Sequence, residues 1–313
     1  MTVRLPDVAD VAAAASRLRP LLAPTPLVRS ERFDAWLKLE TLQVTRSYKV
    51  RGATNAMLVA LANGDRRPIV AASAGNHARG VAWAAHRLGL EAHTVVPITA
   101  PLTKVRGAEA LGAKVIRFGR SYEDAQDHAI SLARENGWRF LPAFDDPDVI
   151  AGQGTVGWEL LDAHPDVVLV PLGGGGLASG LGLALKSRGT RIVGVHVEGL
   201  DAMARALDGR PPLDVLPTTI ADGVRVRRVG ESTRRICAEV LDEIVTVTEE
   251  DVRRAVVELA SFERVVAEGA GALAYAALSR KAGTRTIAVI SGGNIDLDTF
   301  TTEIRDTRRE AGA

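Results

Sequence analysis

The sequence predicts an α/β fold in which parallel sheets are flanked by helices. Short runs rich in β-branched residues alternate along the chain with longer segments rich in alanine and leucine. This repeated alternation is typical of parallel sheets, because the chain must cross over, usually through a helix, to begin each new parallel strand. Gly89 and Gly112 stand where two of the predicted helices end, a position at which glycine commonly terminates a helix.

The predicted elements follow one another in chain order. Strands are expected at residues 36–40, 69–72, 91–96, 114–118, 167–171, 192–197 and 286–290. Helices are expected at residues 76–88, 102–111, 122–136, 154–161, 177–187 and 249–262. For the last of these helices, Thr248 is the expected N-cap, and Asp251 stands at the carboxylate position of a capping box. Residues 208–219 are expected to form a long loop.

Composition and charge limit the class of protein. The chain has 313 residues with a net charge of +1, so no excess of positive charge favours nucleic acid or an anionic membrane. No apolar run reaches the roughly 18–20 residues that span a bilayer. The N-terminal stretch also lacks the basic start and apolar middle of a signal peptide. Cys237 is the only cysteine, and we expect it to be a small buried residue. A cytoplasmic location is expected from these features.

A run of four glycines, Gly173, Gly174, Gly175 and Gly176, separates a predicted strand from a predicted helix. Such a turn lets main-chain N–H groups approach an anion closely, and the helix N-terminus adds the positive end of its dipole. Phosphate is the natural ligand of this arrangement. The alternative is a tight structural turn, which needs one or two glycines rather than four. The run lacks the Lys-Ser/Thr pair of a nucleoside-triphosphate loop.

Two further strand ends carry candidate binding groups. The turn at residues 72–77 enters a helix, and its N–H groups could hold a carboxylate, although Ser73 could equally cap that helix. His77 by itself is more typical of a packing residue than of a base. Ser291 follows the last predicted strand, at the edge where open parallel sheets bind ligands, although an ordinary turn is the alternative there.

Lys49 is the candidate reactive lysine. It stands between Tyr48 and Val50 in the stretch SYKVRGATN. A lysine held in a cleft loses its proton more easily than an exposed lysine and becomes a nucleophile or a Schiff-base partner. A lone lysine is otherwise a solvent-facing residue, so this stretch by itself does not establish a role.

Together these stretches resemble the threonine/serine dehydratase family of the fold type II pyridoxal-phosphate enzymes, the group that also contains serine racemases. Seven stretches follow the family's order and cover nearly the whole chain from Ser47 to Asn294. They read SYKVRGATN, ASAGNHARGVA, IAGQGT, PLGGGGLASG, IADGV, AEGAGA and SGGN. Each stretch is short, but seven in order are specific. The resemblance implies a two-lobed, tryptophan synthase β-like fold with the cofactor in the cleft between the lobes.

The resemblance also assigns cofactor contacts. Pyridoxal 5'-phosphate would be attached to Lys49, and its ring would pack beside Tyr48, which replaces the more usual phenylalanine. Asn76 would hydrogen-bond the ring hydroxyl, Ser291 would contact the pyridine nitrogen, and Glu268 would line the far side. The cofactor phosphate would be held at the glycine run, by Gly173, Gly174, Gly175, Gly176 and Leu177.

The reaction implied by the resemblance is β-elimination of a hydroxy-amino acid to a 2-oxo acid and ammonia, with threonine expected first and serine second. The substrate carboxylate would be bound by the turn of Ser73, Ala74, Gly75, Asn76 and His77. The Lys49 amine would then take the α-proton as general base. Serine racemases of the family carry a second serine where this chain has Ala74, which favours dehydration. Serine racemase and hydroxyaspartate ammonia-lyase remain as alternatives.

Three other assignments are weaker. Glu198 aligns with a metal ligand of the family, but the second carboxylate falls near Ala204, so no metal site is predicted. Gly173, Gly175 and Ala178 also fit the G-x-G-x-x-A pattern of NAD-dependent dehydrogenases, with Glu198 placed as the ribose-binding acid. That alternative leaves the SYKVRGA and SAGNH stretches unexplained. A non-catalytic amino-acid-binding protein would need no reactive lysine.

Two domains are expected. Residues 1–60 and 147–313 would form a large cofactor-binding domain, and residues 61–146 a small mobile domain that closes on the substrate carboxylate. No linker is long enough to release either unit, so the two would share an interface. By resemblance, the protein is expected to be a homodimer that acts on a small amino acid.

Overall fold

The computed structural model describes residues 4–283 and 285–311, with side chains through residue 306. The strands of these residues are, in chain order, β1 (Leu27–Arg29), β2 (Trp36–Leu39), β3 (Ile69–Ala72), β4 (Ala92–Val96), β5 (Lys114–Arg117), β6 (Arg139–Phe140), β7 (Val167–Pro171), β8 (Arg191–Val197), β9 (Leu241–Val247) and β10 (Thr286–Ile290).

The α-helices of the described residues complete the chain between these strands. They are α1 (Val8–Leu18), α2 (Lys49–Ala62), α3 (Asn76–Leu88), α4 (Leu102–Glu109), α5 (Tyr122–Asn136), α6 (Pro147–Trp158), α7 (Gly176–Leu185), α8 (Ala202–Leu207), α9 (Glu231–Val240), α10 (Glu249–Ser261), α11 (Gly269–Ala276), α12 (Leu278–Lys281) and α13 (Leu297–Ala311).

The strands of the described residues form two separate sheets. The larger has the order β1-β2-β10-β7-β8-β9, and the smaller has the order β5-β4-β3-β6. All neighbouring strands run parallel except β1 and β2, which are antiparallel. Every residue of β3 and β10 is buried, as expected for parallel strands that helices cover on both faces. The predicted α/β class with parallel sheets flanked by helices is confirmed.

The two sheets have different cores. Against the larger sheet, α7 packs with large aliphatic residues such as Leu177 and Leu181. The core beside the smaller sheet is rich in alanine, which lets α2 and α3 approach it closely. The helices α6 and α7 also cross at close range, since a Cβ on Gly154 would lie 2.8 Å from the carbonyl oxygen of Gly180. Larger side chains at these crossings would force the helices apart.

Several predicted bounds agree with the structure. The strands at 69–72, 167–171 and 286–290 and the helices at 76–88 and 122–136 have the predicted ends. At the start of α10, the Asp251 N–H donates to Thr248 Oγ1 at 3.1 Å and the Thr248 N–H donates to Asp251 Oδ2 at 3.1 Å, which confirms the capping box.

Other elements differ from the prediction. The helix expected at 154–161 is α6, which begins at Pro147 because Asp146 caps it and proline suits the first helical position. Its glycines hid the helical pattern, since glycine is a poor helix former. The pattern also missed β1 and β6, which have three and two residues, and β9, whose alternation is blurred by half-buried positions.

A group of four charged side chains is buried behind the first turn of α2. Arg51 is 2% exposed and donates to both carboxylate oxygens of Glu40 at 2.8 Å. Its third nitrogen, Nη1, donates to Glu159 at 2.5 Å, and Lys38 donates to the same carboxylate at 2.5 Å. Two cations therefore balance two carboxylates away from water, which holds the start of α2 against the larger sheet.

Replacing Arg51 by methionine tests this network. We expect Arg51→Met to lower the free energy of unfolding by about 3–5 kcal/mol, because Glu40 and Glu159 would keep only Lys38 as a buried partner. Urea denaturation followed by far-ultraviolet circular dichroism measures the loss. The matched control is Arg285→Met, which removes an ion pair with Asp166 that is 57% exposed on both sides and should leave stability unchanged. Equal stability of the two variants would contradict the prediction.

Candidate active site

Main-chain hydrogen bonds bring the reactive-lysine stretch against the end of β10. The Tyr48 N–H donates to the carbonyl oxygen of Ser291 at 3.1 Å, and the Gly293 N–H donates to that of Arg46 at 2.9 Å. The next residue, Lys49, begins α2. Tyr48, Lys49 and Ser291, which the sequence assigned to one site, therefore lie together.

The Lys49 amine lies inside the cleft beside this pairing. Its Nζ donates to the carbonyl oxygen of Ala143 at 2.7 Å and lies 5.3 Å from the centre of the Tyr48 ring. Burial lowers the pKa of Lys49 to about 8, because desolvation disfavours the charged amine and outweighs the attraction of the Glu268 carboxylate. A substantial fraction of the amine is therefore neutral near pH 8 and able to attack a carbonyl carbon or accept a proton.

The glycine run lies beside the carbonyl group that holds Lys49. Phe144, the residue after Ala143, packs against it, since a Cβ on Gly174 would lie 2.5 Å from the phenyl ring. The sequence gave no role to Ala143 or Phe144, because they follow a two-residue strand and belong to no motif. They form the connection between the lysine and the glycine turn.

The main-chain N–H groups of residues 173–177 are suited to an anion. Among the described residues none of them donates to a protein acceptor, and α7 begins with no side-chain cap. Gly175 has a φ of 86°, a conformation that favours glycine, and a Cβ there would lie 2.4 Å from the Met203 Cε. A buried turn of free donors at a helix N-terminus is a binding site for phosphate.

The turn that enters α3 offers a second set of free donors. Ser73 Oγ accepts from the Gly75 N–H at 3.1 Å, and α3 starts with no side-chain cap, so Ser73 does not cap this helix. The N–H groups of Ala74, Asn76 and His77 donate to no acceptor among the described residues. This geometry can bind a carboxylate at the positive end of α3.

His77 is held as a packing residue within that turn. Its Nε2 lies 3.0 Å from the carbonyl oxygen of Leu141, and the side chain is buried. Burial, together with the nearby Lys49 charge, lowers the pKa of His77 to about 3. The imidazole is therefore neutral at ordinary pH and too weak a base to compete with the lysine.

A chain of side-chain hydrogen bonds crosses the cleft. Asn76 Nδ2 donates to Glu268 Oε1 at 2.5 Å, and Asn294 Nδ2 donates to Asn76 Oδ1 at 2.7 Å. Burial, with a smaller contribution from Asp222, raises the pKa of Glu268 to about 7. Asn294 belongs to the SGGN stretch, but the sequence assigned it no contact, because its partner lies 218 positions away.

The Ser291 hydroxyl is also placed in this part of the cleft. It is buried, and its hydrogen-bond partner, the carbonyl oxygen of Ala270, lies 3.5 Å away, at the limit of a hydrogen bond. Such a weakly engaged hydroxyl is available to a ring nitrogen. With Lys49, Tyr48, Asn76 and Glu268, it completes the set of side chains that the sequence predicted for a pyridoxal-phosphate site.

The sequence matches the profile of the pyridoxal-phosphate dependent enzymes over residues 18–292. The chain belongs to this enzyme family. The free donors at residues 173–177 and the buried amine of Lys49 fit the two groups by which pyridoxal phosphate is held, a phosphate and an aldehyde. The alternative of an NAD-dependent dehydrogenase is therefore wrong.

Members of the pyridoxal-phosphate family with known structures or names resemble the chain over most of its length. A catabolic L-threonine dehydratase from Staphylococcus aureus is 38% identical over 315 residues, which cover 95% of this chain and 91% of the relative. The crystal structure of the T.th. threonine deaminase is 39% identical in sequence, with a TM-score of 0.87 and coverage of 93% and 99%. A pyridoxal 5'-phosphate-dependent aspartate racemase is 30% identical, with a TM-score of 0.88 and coverage of 95% and 99%.

Two further expectations concern metals and membranes. Within residues 4–283 and 285–311, no three His, Cys, Asp or Glu side chains are grouped so that they could hold a metal ion. The doubtful assignment of Glu198 as a metal ligand stays a prediction. In the same residues, no helix combines the length and the apolar character needed to cross a membrane.

The lowered pKa of Lys49 predicts selective labelling by the aldehyde cofactor. When cofactor-free protein is treated with pyridoxal 5'-phosphate and borohydride, labelling of Lys49 should rise with pH and level off above about pH 8, because the neutral amine is the reactive form. Mass spectrometry of the digested protein measures the labelled peptide. Exposed Lys114 is the internal reference, and Lys49→Ala should lose the label. Labelling confined to exposed lysines would contradict the prediction.

The raised pKa of Glu268 predicts a pH-dependent stability. A carboxyl group whose folded pKa is about 7 rather than 4.5 stabilises the fold below pH 4.5 and loses that contribution as pH rises through 7. Relative to cofactor-free Glu268→Gln, the cofactor-free wild type should therefore lose about 3 kcal/mol between pH 4.5 and pH 7. Urea denaturation at several pH values measures this difference, with Glu250→Gln on the exposed face of α10 as the control. Parallel curves for wild type and Glu268→Gln would contradict it.

Proposed function

We propose that the chain is a threonine dehydratase, an ammonia-lyase that converts L-threonine to a 2-oxo acid and ammonia with pyridoxal phosphate as cofactor. The observation that carries this proposal is the 38% identity, over 95% of the chain, to a catabolic L-threonine dehydratase. The buried Lys49 amine beside the free donors of the glycine turn supplies the matching geometry. L-serine is the second substrate that we expect.

The cofactor would be attached through Lys49 Nζ and held by residues around it. Its phosphate would accept from the N–H groups of residues 173–177, and its ring would lie beside Tyr48. Asn76 would donate to the ring oxygen, and Ser291 would contact the ring nitrogen. When bound, the cofactor supplies an electron sink that takes up the negative charge left at the α-carbon.

The chain's own residues handle the substrate and its protons. The N–H groups at the start of α3 would fix the carboxylate, which places the α-carbon near Lys49. The Lys49 amine, with its lowered pKa, can then remove the α-proton as general base. The β-hydroxyl leaves as water, and the amino group is finally released as ammonia.

Ala74 favours elimination over racemisation. Its methyl group packs against the apolar cluster of Val96, Ala100 and Val105, so the side chain at this position offers no group that could exchange a proton. Racemisation needs a second acid–base group on the other face of the substrate. The 30% identity to an aspartate racemase makes racemisation the competing outcome to be measured.

We also propose that the protein closes over its substrate. The strands between residues 69 and 140 form their own sheet, which supports a small domain at residues 61–146 and a large domain from residues 1–60 and 147–313. Lys104 of α4 pairs with Asp222 on the opposite side of the cleft, which would favour a closed arrangement. The homodimer and the cytoplasmic location stay predictions.

A panel of β-hydroxy amino acids tests the reaction. Purified protein loaded with cofactor should release 2-oxo acid and ammonia in equal amounts from L-threonine, and more slowly from L-serine and hydroxyaspartate. Lys49→Ala should lower turnover by more than about 100-fold, because it removes the general base and the point of attachment. Lactate dehydrogenase coupling and an ammonia assay measure the products, and chiral chromatography measures racemisation.

The control for this assay is Lys114→Ala, which removes an exposed lysine outside the cleft and should retain full activity. Racemisation of the panel without 2-oxo acid release would overturn the assignment as a dehydratase. Binding of an amino acid with no turnover, unchanged in Lys49→Ala, would show a binding protein instead of an enzyme.

A further inference from the structure

Asn294 anchors the hydrogen-bonded chain that crosses the cleft. Its Nδ2 donates to the carbonyl oxygen of Thr45 at 2.9 Å and to Asn76 Oδ1 at 2.7 Å. Asn76 in turn donates to Glu268 at 2.5 Å. Asn294 and Asn76 are partly buried, and Glu268 is 7% exposed, so water competes little for these groups.

The order of donors and acceptors in this chain fixes the orientation of the Asn76 amide. The carbonyl oxygen of Thr45 can only accept, so the nitrogen of Asn294 must face it. The same nitrogen then donates to Asn76, which engages the oxygen of that amide. The nitrogen of Asn76 must therefore face the Glu268 side, where one of its two N–H bonds is used and the other remains free.

We propose that Asn294 is a positioning residue that holds Asn76 as a hydrogen-bond donor toward the cofactor's ring oxygen. The inference rests on the proposed function, in which Asn76 contacts that oxygen. Without Asn294 the amide of Asn76 could turn over and present its own oxygen. Two oxygens would then face each other, and the donor to a negatively charged ring oxygen would be lost.

Two substitutions separate loss of the anchor from its reversal. Asn294→Ala removes the anchor and leaves Asn76 free to adopt either orientation. Asn294→Asp keeps the shape but replaces the donor by an acceptor, which draws the Asn76 nitrogen away from the site. We expect the dissociation constant for pyridoxal 5'-phosphate to rise about tenfold in Asn294→Ala and closer to about 100-fold in Asn294→Asp.

The measurement is titration of cofactor-free protein with pyridoxal 5'-phosphate, followed by the absorbance of the bound cofactor at several pH values. Asn136→Asp is the matched control, because Asn136 lies at the exposed end of α5 and donates only to Leu132, so its dissociation constant should equal that of the wild type. Thermal unfolding of the same proteins reports whether each variant is folded. If Asn294→Asp does not fold, Asn294→Ala carries the test.

A second background distinguishes positioning from a general structural role. In Asn76→Ala protein, adding Asn294→Ala should not weaken cofactor binding further, because no amide remains to be oriented. The same tenfold loss in that background, or a greater loss in Asn294→Ala than in Asn294→Asp, would overturn the inference. Tight binding by wild type and both variants would overturn it alone, whereas a wild type that binds no cofactor would overturn the proposed function as well.

Discussion

The site depends on a short stretch of main-chain pairing between residues 45–48 and the loop that follows β10. Ser47 forms an isolated bridge with Gly292, and hydrogen bonds on both sides extend it. This pairing places Lys49, at the start of α2, beside Ser291. Main-chain hydrogen bonds set these distances regardless of the side chains involved, so the lysine and the serine are held in register before any ligand arrives.

Burial then gives the site its chemistry. Removing water from the cleft lowers the pKa of Lys49 and raises that of Glu268, so each group is driven toward its neutral form. The negative charges that the cleft can accept are matched by N–H donors at the N-termini of α3 and α7 rather than by ionised side chains. A phosphate and a carboxylate can thus bind at two ends of one cleft, with a neutral amine between them.

The sequence predicted the local elements better than the contacts between them. Helices with clear periodicity and capping residues, such as α5 and α10, and buried strands such as β3 were found with little error. The start of α2 at Lys49 and the full length of α6 were missed, because glycine and β-branched residues obscure helical periodicity. Seven short stretches in the family's order identified the candidate site, although each alone had an ordinary structural explanation.

By itself the sequence determined where the chain turns, which segments are helical or extended, and that one glycine run offers free N–H groups to an anion. These follow from local sterics and periodicity. Only the tertiary structure decided that Asn76 lies between Glu268 and Asn294, residues 192 and 218 positions away along the chain, and that the carbonyl oxygen of Ala143 holds Lys49. Hydrogen bonds over such separations exist only after both sheets have packed, because their partners are set by strand order and helix packing rather than by neighbouring residues.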